Sequence, residues 1–176
     1  MICFSEIMTP LGKMTAGATD DGLFLLDFQD RKTLQGWSNE LKKQFGEISD
    51  GINNQFTLQI KNELAEYFTG KRKTFEIQLA AVGTDFQLSV WEELKKIPYG
   101  VTISYTELAE NLGKPESIRA IANANGKNKI AIVVPCHRVI GANGKLTGYS
   151  GGLHRKKWLI EHEKKHSGKP FDILIF

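Results

Sequence analysis

The sequence predicts an α+β fold, with a small antiparallel β-sheet and helices at the N-terminus and a mostly helical C-terminal domain. Short strand-like runs separated by turn sequences fill the first thirty residues, and later segments place apolar residues at helical spacing. The 176 residues are 41% hydrophobic and 24% charged, which suits a globular core and argues against a disordered or collagen-like chain. The basic residues 71–73 and Gly83 mark a linker region, so two domains are expected, at 1–82 and 83–176.

Three N-terminal strands are expected, at residues 2–8, 13–18 and 23–28. The segments between them, Pro-Leu-Gly at 10–12 and Thr-Asp-Asp-Gly at 19–22, have the composition of tight turns. Consecutive strands joined by such turns pair antiparallel, which gives the predicted sheet.

Three helices are expected next, at residues 33–45, 54–68 and 85–96, because each segment carries apolar residues three and four positions apart. Gly70 ends the second helix, and Pro-Tyr-Gly at 98–100 closes the third as a turn.

Two short helices follow in the C-terminal half. Ser104 and Glu107 have capping-box spacing, which predicts a helix that reaches Asn111 and is broken by Gly113. A second helix is expected over residues 115–126. This pattern is typical of a helix-turn-helix, and equally of an ordinary helical hairpin in a core.

The net charge of +3 is unevenly distributed along the chain. Residues 1–85 hold 9 basic and 12 acidic residues, whereas residues 86–176 hold 14 basic and 8 acidic ones. Between residues 114 and 157 a single acid, Glu116, stands against nine basic residues: Lys114, Arg119, Lys127, Lys129, Arg138, Lys145, Arg155, Lys156 and Lys157. This imbalance indicates either a polyanionic partner or a solvated basic face balanced by acids folded beside it.

The two cysteines, Cys3 and Cys136, are expected to be free thiols. The N-terminus lacks the basic start and apolar stretch of a signal peptide, and no run approaches the roughly 20 apolar residues of a membrane span. A cytoplasmic protein in a reducing compartment is therefore expected, with no membrane association. Since the sequence has no coiled-coil heptads, a monomer is the simplest expectation.

Cys136 has the surroundings of a reactive thiol. Residues 130–134 are an apolar β-branched run that predicts a buried strand leading to the thiol, and His137 and Arg138 follow it. A nearby imidazole or cation favours the thiolate, which is the nucleophilic form. Adjacent residues on an extended segment point to opposite faces, so an inert buried cysteine beside a core histidine is the alternative.

Two further segments suit a nucleic acid. Arg119 lies on the second short helix among Ala120, Ala122 and Ala124, which would allow close approach to a groove while the long side chain enters a base stack. Residues 146–153 are a glycine-rich loop with an aromatic and a hydroxyl residue, which would wall a pocket for a planar base. The alanines are alternatively explained by their high helix propensity, and residues 146–153 by an ordinary surface loop.

Residues 162–166 match H-E-x-x-H, the pattern of a zinc-binding helix. Ten residues remain after His166, and Asp172 is the candidate third ligand among them, so a zinc protease is disfavoured. His166 is instead expected in the last turn of a helix, where a positive charge suits the helix dipole. Glu163 is expected to turn inward and orient an imidazole from elsewhere.

The segment Pro135-Cys136-His137-Arg138-Val139-Ile140 resembles the active-site signature of the O6-alkylguanine-DNA alkyltransferases. The resemblance extends over nearly the whole chain, through these further segments and residues: 9–12, 21–23, 67–72, 83–87, Val90, Trp91, 97–100, Ser104, Tyr105, Leu108, Ala109, Arg119, Ala120, Asn128 and 148–152. It implies a suicide reaction in which the alkyl group of a flipped O6-alkylguanine in double-stranded DNA passes to Cys136. O4-alkylthymine is a further candidate substrate.

The resemblance also implies roles for the residues around the thiol. His137 would take the thiol proton through a water, Glu163 would orient His137, and Asn128 would brace the turn near Cys136. Tyr105 would help to rotate the nucleotide or donate a proton to the leaving guanine.

DNA contacts and a base pocket are implied in the same way. Arg119 would fill the gap left by the extruded nucleotide, with its helix docked in the minor groove. The carbonyls of Cys136 and Val139 would accept from the exocyclic amine of guanine. The other implied DNA contacts are Thr106, Lys114 and Ala120, and the other implied pocket residues are Tyr149 and Ser150, with Ser150 near O6.

The domain at 83–176 is thus expected to bind DNA and transfer the alkyl group, with 1–82 as its structural support. A DNA-damage sensor or regulator that binds alkylated DNA without transfer is the alternative function. Cys3 is the sole cysteine of the N-terminal half, which contains no histidine, so neither a metal nor a cofactor is expected.

Overall fold

A computed structural model of the chain describes residues 2–30, 48–50 and 54–168. Contacts within the chain divide it into two compact units, Met1–Val82 and Gly83–Phe176. The helix predicted at 33–45 lies outside the described residues. Within the described part of the chain, no helix is long and apolar enough to cross a membrane.

The first unit contains the predicted sheet. Strands β1 (Ile2–Thr9), β2 (Gly12–Thr19) and β3 (Gly22–Phe28) pair antiparallel, as the turn sequences predicted. A fourth strand, β4 (Ile48–Asp50), runs parallel to β1 and completes the order β3-β2-β1-β4. The predicted antiparallel sheet is confirmed, and β4 adds a strand that was not predicted, because a three-residue edge strand is too short to show an alternating pattern.

The start of β3 lies close to a neighbouring segment of the same unit. Gly22 adopts a φ of 143°, and a Cβ there would lie 2.7 Å from the carbonyl oxygen of Gln78. This close approach lets Leu23 donate to that carbonyl at 2.9 Å, while Ala80 donates to the carbonyl of Leu23 at 2.9 Å. Glycine is required here because a side chain would meet backbone.

Helix α1 (Gln55–Phe68) packs against β1 and β2. It begins at a capping box in which the Asn54 side chain accepts from the amide of Thr57, and the Thr57 hydroxyl accepts from the amide of Asn54. Its inward face consists of buried apolar residues at helical spacing: Phe56, Ile60, Leu64 and Tyr67.

The second unit is mostly helical, as predicted. Its helices are α2 (Asp85–Lys95), α3 (Tyr105–Asn111), α4 (Ile118–Gly126) and α5 (Leu153–His166). Helix α2 packs on α4, and α3 packs on α4. The packed pair α3 and α4 has the helix-turn-helix arrangement that the sequence indicated.

The capping box predicted for α3 is present. The amide of Ser104 donates to Glu107 Oε2 at 2.7 Å, and the amide of Glu107 donates to Ser104 Oγ at 3.1 Å. Gly113 follows the helix with a φ of 66°, and a 3-10 turn at Pro115–Ser117 leads into α4. Left-handed backbone is the expected use of glycine after a helix end.

A short parallel pair of strands connects the start of α3 to a distant part of the unit. Strand β5 (Ile103–Ser104) pairs with β6 (Val139–Ile140), and the latter directly follows a 3-10 turn at Cys136–Arg138. The cap of α3 and the segment that carries Cys136 are therefore joined by backbone pairing.

Candidate active site

Cys136 follows a tight turn, and the strand predicted at 130–134 is wrong. The amides of the last two residues of this run donate to carbonyls two and four positions earlier, at 2.9 Å each, so the backbone reverses. Ile132 has a φ of 72°, which β-branched residues rarely adopt and which stores strain. The apolar run reflects burial, which periodicity alone cannot separate from an extended conformation.

Asn128 binds both ends of this turn and the thiol itself. Its Nδ2 donates to the carbonyl of Val134 at 2.8 Å and lies 3.1 Å from Cys136 Sγ, while its Oδ1 accepts from the amide of Ile130 at 2.9 Å. Asn128 is 2% exposed and Cys136 is 4% exposed. A donor directed at sulfur favours the thiolate over the thiol.

His137, the residue after Cys136, forms a buried pair with Glu163. His137 Nε2 lies 2.7 Å from Glu163 Oε1, and the two side chains are 0% and 1% exposed. Because a carboxylate accepts, Nε2 carries the proton and donates it. The other ring nitrogen, Nδ1, has no hydrogen-bond partner within the described residues, so its lone pair is open to accept a proton.

Arg138 shares the carboxylate with His137. Its Nε donates to Glu163 Oε2 at 2.8 Å and its Nη2 to Oε1 at 3.0 Å, while Nη1 donates to the carbonyl of Ile97 at 2.6 Å. The amide of Gly100 also donates to Oε2, at 3.2 Å. Glu163 therefore accepts hydrogen bonds from an imidazole, from a backbone amide and from two nitrogens of a guanidinium.

The protonation states of this cluster follow from burial and charge. Burial disfavours the Glu163 carboxylate, but its interactions with His137 and Arg138 are larger together and hold the pKa of Glu163 well below its usual range. Burial lowers the pKa of His137 below its ordinary 6.5; Glu163 opposes this, whereas the charges of Arg138 and Lys156 add to it. At neutral pH the resting site holds an anionic Glu163 and a neutral His137.

Lys156 is a buried cation that the sequence analysis did not assign to the site. Its side chain is 0% exposed, its Nζ donates to the carbonyl of Thr147 at 2.6 Å, and Nζ lies 5.9 Å from the ring centroid of Tyr105. Burial lowers the pKa of Lys156 to about 8, opposed by its interaction with Cys136. The sequence did indicate that Lys156 is buried, because positions 156, 159, 160 and 163 have helical spacing and form the buried face of α5.

Tyr105 lies at the start of α3 with its phenol inside the unit. The hydroxyl accepts from Asn125 Nδ2 at 3.2 Å and lies 3.5 Å from the carbonyl of Gly148, a long contact. Burial raises the pKa of Tyr105 to about 12, so the phenol keeps its proton at neutral pH. Asn125, which the sequence analysis also missed, places the same Nδ2 3.5 Å from the carbonyl of Cys136.

The three pocket residues implied by the resemblance differ in exposure. Val139 and Tyr149 are buried, whereas Ser150 is exposed. Val139 directly follows the Cys136–Arg138 turn, and the carbonyl of Tyr149 accepts from the amide of Gly152 at 3.0 Å.

The four implied DNA contacts lie on the α3–α4 pair and not among the groups that bind Glu163 or Asn128. Arg119 and Ala120 are exposed at the start of α4, and Thr106 is half-buried on α3. Lys114 is exposed between the two helices, with its Nζ 5.0 Å from the ring centroid of Phe86.

The alanines of α4 do not share one face. Ala120 is exposed and Ala122 is half-buried, whereas Ala124 is buried and its carbonyl accepts from Trp91 Nε1 at 2.9 Å. Ala124 therefore contributes to the core, and Ala120 is the small exposed residue next to Arg119.

The H-E-x-x-H segment forms the last turns of α5. The His162 ring stacks on Trp158 with centroids 4.7 Å apart, and His166 Nδ1 lies 2.8 Å from the carbonyl of His162. Across residues 2–30, 48–50 and 54–168, no group of three potential ligands is placed to hold a metal ion. Asp172 lies outside the described residues, and Glu163 turns to His137 and Arg138.

Comparison with known proteins matches both units. The model of the 6-O-methylguanine DNA methyltransferase ribonuclease-like domain matches residues 2–81, and that of the DNA binding domain matches residues 85–165. The methylated-DNA–protein-cysteine methyltransferase of Methanosarcina acetivorans is 44% identical over 157 residues, covering 88% of this chain and 94% of that protein. The protein of the same name from Mycobacterium bovis is 52% identical over 179 residues, covering 100% and 99%.

A solved structure shows the same fold. The crystal structure of Mycobacterium tuberculosis OGT in complex with DNA has a TM-score of 0.81 and 38% identity, covering 93% of this chain and 94% of that one. The similarity spans the sheet, the helix pair and the segment that carries Cys136. The chain therefore belongs to the 6-O-methylguanine DNA methyltransferase family.

Proposed function

We propose that the protein repairs DNA by direct reversal, through irreversible transfer of the alkyl group of O6-alkylguanine to Cys136. The observation that carries this proposal is the buried Cys136 thiol, held by Asn128 beside the His137–Glu163 pair. Membership of the family supports the same activity, since its relatives are named methylated-DNA–protein-cysteine methyltransferases.

The transfer is a nucleophilic displacement at the alkyl carbon. Cys136 Sγ forms a bond to that carbon while the carbon–O6 bond breaks, and guanine keeps the electron pair. The thiol proton passes through a water to the open Nδ1 of His137, and guanine takes up a proton, for which the buried phenol of Tyr105 is the candidate donor. The product is a neutral thioether with no route back to a thiol, so each molecule acts once.

Asn128 and Glu163 act as positioning residues in this scheme. Asn128 fixes the direction of the Cys136 sulfur and stabilises its negative charge as the proton leaves, and Glu163 fixes the tautomer and orientation of the His137 ring.

Double-stranded DNA is the proposed partner, and the α3–α4 pair is the proposed contact surface. An atom inside a base pair is unreachable, so the alkylated nucleotide must leave the stack, at a cost of a few kcal/mol that a damaged pair reduces. Arg119, exposed at the start of α4, fills the gap. The other proposed contacts are Thr106, Lys114 and Ala120, which bind without reading sequence.

The flipped base is proposed to enter a pocket beside the Cys136–Arg138 turn. The carbonyls of Cys136 and Val139 accept from the exocyclic amine of guanine, Tyr149 supplies an apolar wall, and Ser150 lies near O6. O4-alkylthymine is a second candidate substrate for the same site.

Residues 83–176 carry all of these groups, so we assign DNA binding and transfer to that unit and structural support to residues 1–82. We further propose a monomer located in the cytoplasm. Both cysteines, Cys3 and Cys136, are buried and outside any disulfide, and a reducing compartment would keep the reactive one as a thiol.

The test is to mix the purified protein with duplex DNA carrying one O6-methylguanine, then measure intact mass and map the modified peptide. We expect one methyl group on Cys136 and restored guanine, and no transfer by the Cys136→Ser variant. If wild type and Cys136→Ala retain the lesion DNA equally and neither becomes methylated, the protein is a damage sensor and the proposal fails.

A further inference from the structure

Asn125 is a buried amide to which the transfer scheme gives no role. It lies near the end of α4 and is 1% exposed. Its Nδ2 donates to the Tyr105 hydroxyl at 3.2 Å and lies 3.5 Å from the carbonyl oxygen of Cys136. Its Oδ1 is buried and accepts no hydrogen bond from any residue that the structure describes. The amide therefore lies between the candidate proton donor and the backbone of the nucleophile.

Packing alone does not explain an asparagine at this position. A buried polar atom without a hydrogen-bond partner destabilises a fold, and an apolar side chain of similar shape avoids that cost. Leucine has the same branching as asparagine and no polar atoms, so a purely structural position would favour it. The Nδ2 donor is the feature that needs an explanation, and the Tyr105 hydroxyl is the nearer of its two partners.

The direction of this hydrogen bond leaves the proton of Tyr105 available. An amide nitrogen can only donate, so the phenol oxygen accepts from Asn125 and directs its own O–H elsewhere. Among the described residues, the acceptor within reach of that O–H is the carbonyl of Gly148, at the long distance of 3.5 Å. The phenol proton is therefore weakly bound and can pass to a base that enters the pocket.

Asn125 also counteracts the effect of burial on the phenol. Burial raises the pKa of Tyr105 to about 12 and the charge of Cys136 adds to this, whereas the hydrogen bond from Asn125 lowers it. A donor directed at the phenol oxygen stabilises the negative charge that develops as the proton leaves. Cys136, on its turn, and Lys156, on α5, are the titratable groups that face Tyr105 from other described elements.

We propose that Asn125 is a positioning residue that makes Tyr105 the proton donor to the departing guanine. As the bond between the alkyl carbon and O6 breaks, guanine keeps the electron pair and takes the proton of the Tyr105 O–H. Asn125 Nδ2 then donates to the phenolate oxygen that remains. The phenolate regains a proton afterwards, which balances the proton that left the Cys136 thiol.

The proposal rests on the transfer to Cys136 proposed above and deepens it. Tyr105 has two candidate roles, rotation of the nucleotide and donation of a proton. The hydrogen bond from Asn125 favours donation, because it stabilises the phenol oxygen as it becomes negative.

The first measurement is a double-mutant cycle on the rate of methyl transfer from an O6-methylguanine duplex in a single turnover. Asn125→Leu removes the donor and is expected to slow transfer about tenfold, the kinetic equivalent of one hydrogen bond. In a Tyr105→Phe protein, which has no phenol proton, Asn125→Leu should have no further effect. An equal loss in both backgrounds would overturn the proposal, and so would an unchanged rate in the single variant.

Reaction of Cys136 with iodoacetamide separates the proton donor from the nucleophile. The thiolate displaces iodide, a leaving group that needs no proton, so Asn125→Leu should leave this rate unchanged. If Asn125 instead acts by holding the Cys136 backbone, the iodoacetamide rate falls together with transfer, and the proposal fails. Peptide mapping separates Cys136 from Cys3, whose reaction reports general unfolding.

The second measurement is a titration of the phenol, which uses no DNA. A fluorinated tyrosine in place of Tyr105 brings the pKa of the phenol to a pH at which the protein stays folded, and fluorine NMR follows it. Asn125→Leu is expected to raise this midpoint by about one pH unit, which is the same tenfold factor. Asn123→Leu, at an exposed position of α4, is the matched control and should leave the midpoint unchanged.

The two measurements distinguish the role of Asn125 from the function on which it rests. Transfer with an unmoved phenol midpoint refutes the role of Asn125 and leaves alkyl transfer intact. A raised midpoint without any transfer supports the action of Asn125 on Tyr105 and refutes the proposed function. If Asn125→Leu does not fold, as judged by circular dichroism, Asn125→Ala removes the same donor and replaces it in every measurement.

Discussion

The two units of the molecule bury different kinds of side chain. In Met1–Val82 the interior is chiefly apolar, and every residue of β3 is buried. In Gly83–Phe176 the interior around the thiol holds ionisable groups within one cluster: His137, Arg138, Lys156 and Glu163. Apolar burial stabilises a fold by about 25 cal/mol per Å² and needs no particular geometry. A buried ion pair adds little to stability, but removing one partner is strongly destabilising because the other charge stays buried without a partner.

Substitutions in the first unit should therefore affect only stability, whereas substitutions around the thiol should also affect the chemistry. The sheet of the first unit tolerates conservative apolar exchange, because size and hydrophobicity are what its interior requires. The thiol cluster depends on the identity and charge of each member. Matched residues in the two units test that contrast.

The largest contrast is between the two buried cysteines. Cys136→Ala is expected to abolish alkyl transfer completely, because no other group replaces the nucleophile. Cys3→Ala, in β1, is expected to keep the transfer rate and lower the free energy of unfolding by about 1 kcal/mol. Intact mass after reaction with O6-methylguanine duplex and urea denaturation measure the two effects. Methylation of the Cys136→Ala protein at any residue would contradict this prediction.

The next contrast is between two buried glutamates. Glu163→Gln is expected to lower the free energy of unfolding at pH 7 by about 3 to 5 kcal/mol, because it leaves the Arg138 charge buried without a partner. Glu63→Gln, in α1, should cost less, since Glu63 accepts from Gln59 at 2.7 Å and lies 3.9 Å from Arg72, which also pairs with Glu66. Urea denaturation of both variants gives the comparison.

The same pair predicts a pH dependence. Since the pKa of Glu163 is lowered on folding from an ordinary 4.5, its contribution to stability is present above about pH 4.5 and is lost as the pH falls further. Wild-type stability should therefore decline below pH 4.5 more steeply than that of Glu163→Gln. Parallel curves for the two proteins would show that Glu163 is not the anion we infer.

Lys156→Met is expected to stabilise the protein while slowing transfer. Below about pH 8, Lys156 is charged in both the folded and the unfolded state. Between pH 8 and 10.5 the unfolded state binds more protons than the folded state, so the free energy of unfolding of the wild type rises with pH over this range. Methionine removes the buried charge and loses one hydrogen bond, a net gain on the order of 2 kcal/mol at pH 7. The transfer rate falls because the cation that interacts with Cys136 is gone.

The control for this variant lies next to it on α5. Lys157→Met changes an exposed lysine and should leave both the unfolding curve and its pH dependence unaltered. If Lys156→Met unfolds at lower urea than wild type at pH 7, the lysine is stabilised by its surroundings and our account of it is wrong.

The smallest effect concerns an exposed residue. Arg119→Ala should slow repair of duplex DNA about tenfold, since the flipped state costs a few kcal/mol and loses the group that fills the gap. The substitution should change neither the free energy of unfolding nor the rate at which Cys136 reacts with iodoacetamide. Lys61→Ala, an exposed residue of α1, is the matched control and should leave duplex repair unchanged. Equal rates for the two variants would remove Arg119 from the mechanism.

Local signals predicted much of the fold. The spacing of Ser104 and Glu107 located the start of α3, because a capping box is a contact within four residues. The first three strands followed from turn composition. Strand β4 was missed because its pairing with β1 depends on residues distant in sequence.

The site was harder to predict, because its geometry also depends on contacts between residues that are distant in sequence. Residues 130–134 have a strand's composition, yet their conformation is set by Asn128 across the turn. Lysine is usually exposed, so composition alone gave no reason to place Lys156 inside, although its position on the buried face of α5 did. Cys136 and Glu163 were candidates from the residues alone, whereas the pairing of Glu163 with His137 came from the resemblance to a family. Their roles stay predictions until the variants are measured.

The hydrogen bonds of Glu163 also decide when, during synthesis, the reactive centre can be assembled. This side chain bonds to residues 63, 26 and 25 positions earlier in the chain. A ribosome releases Cys136 and His137 before α5 exists, so the nascent thiol has no assembled partner until the helix follows. The reactive centre is therefore complete only once α5 has been made.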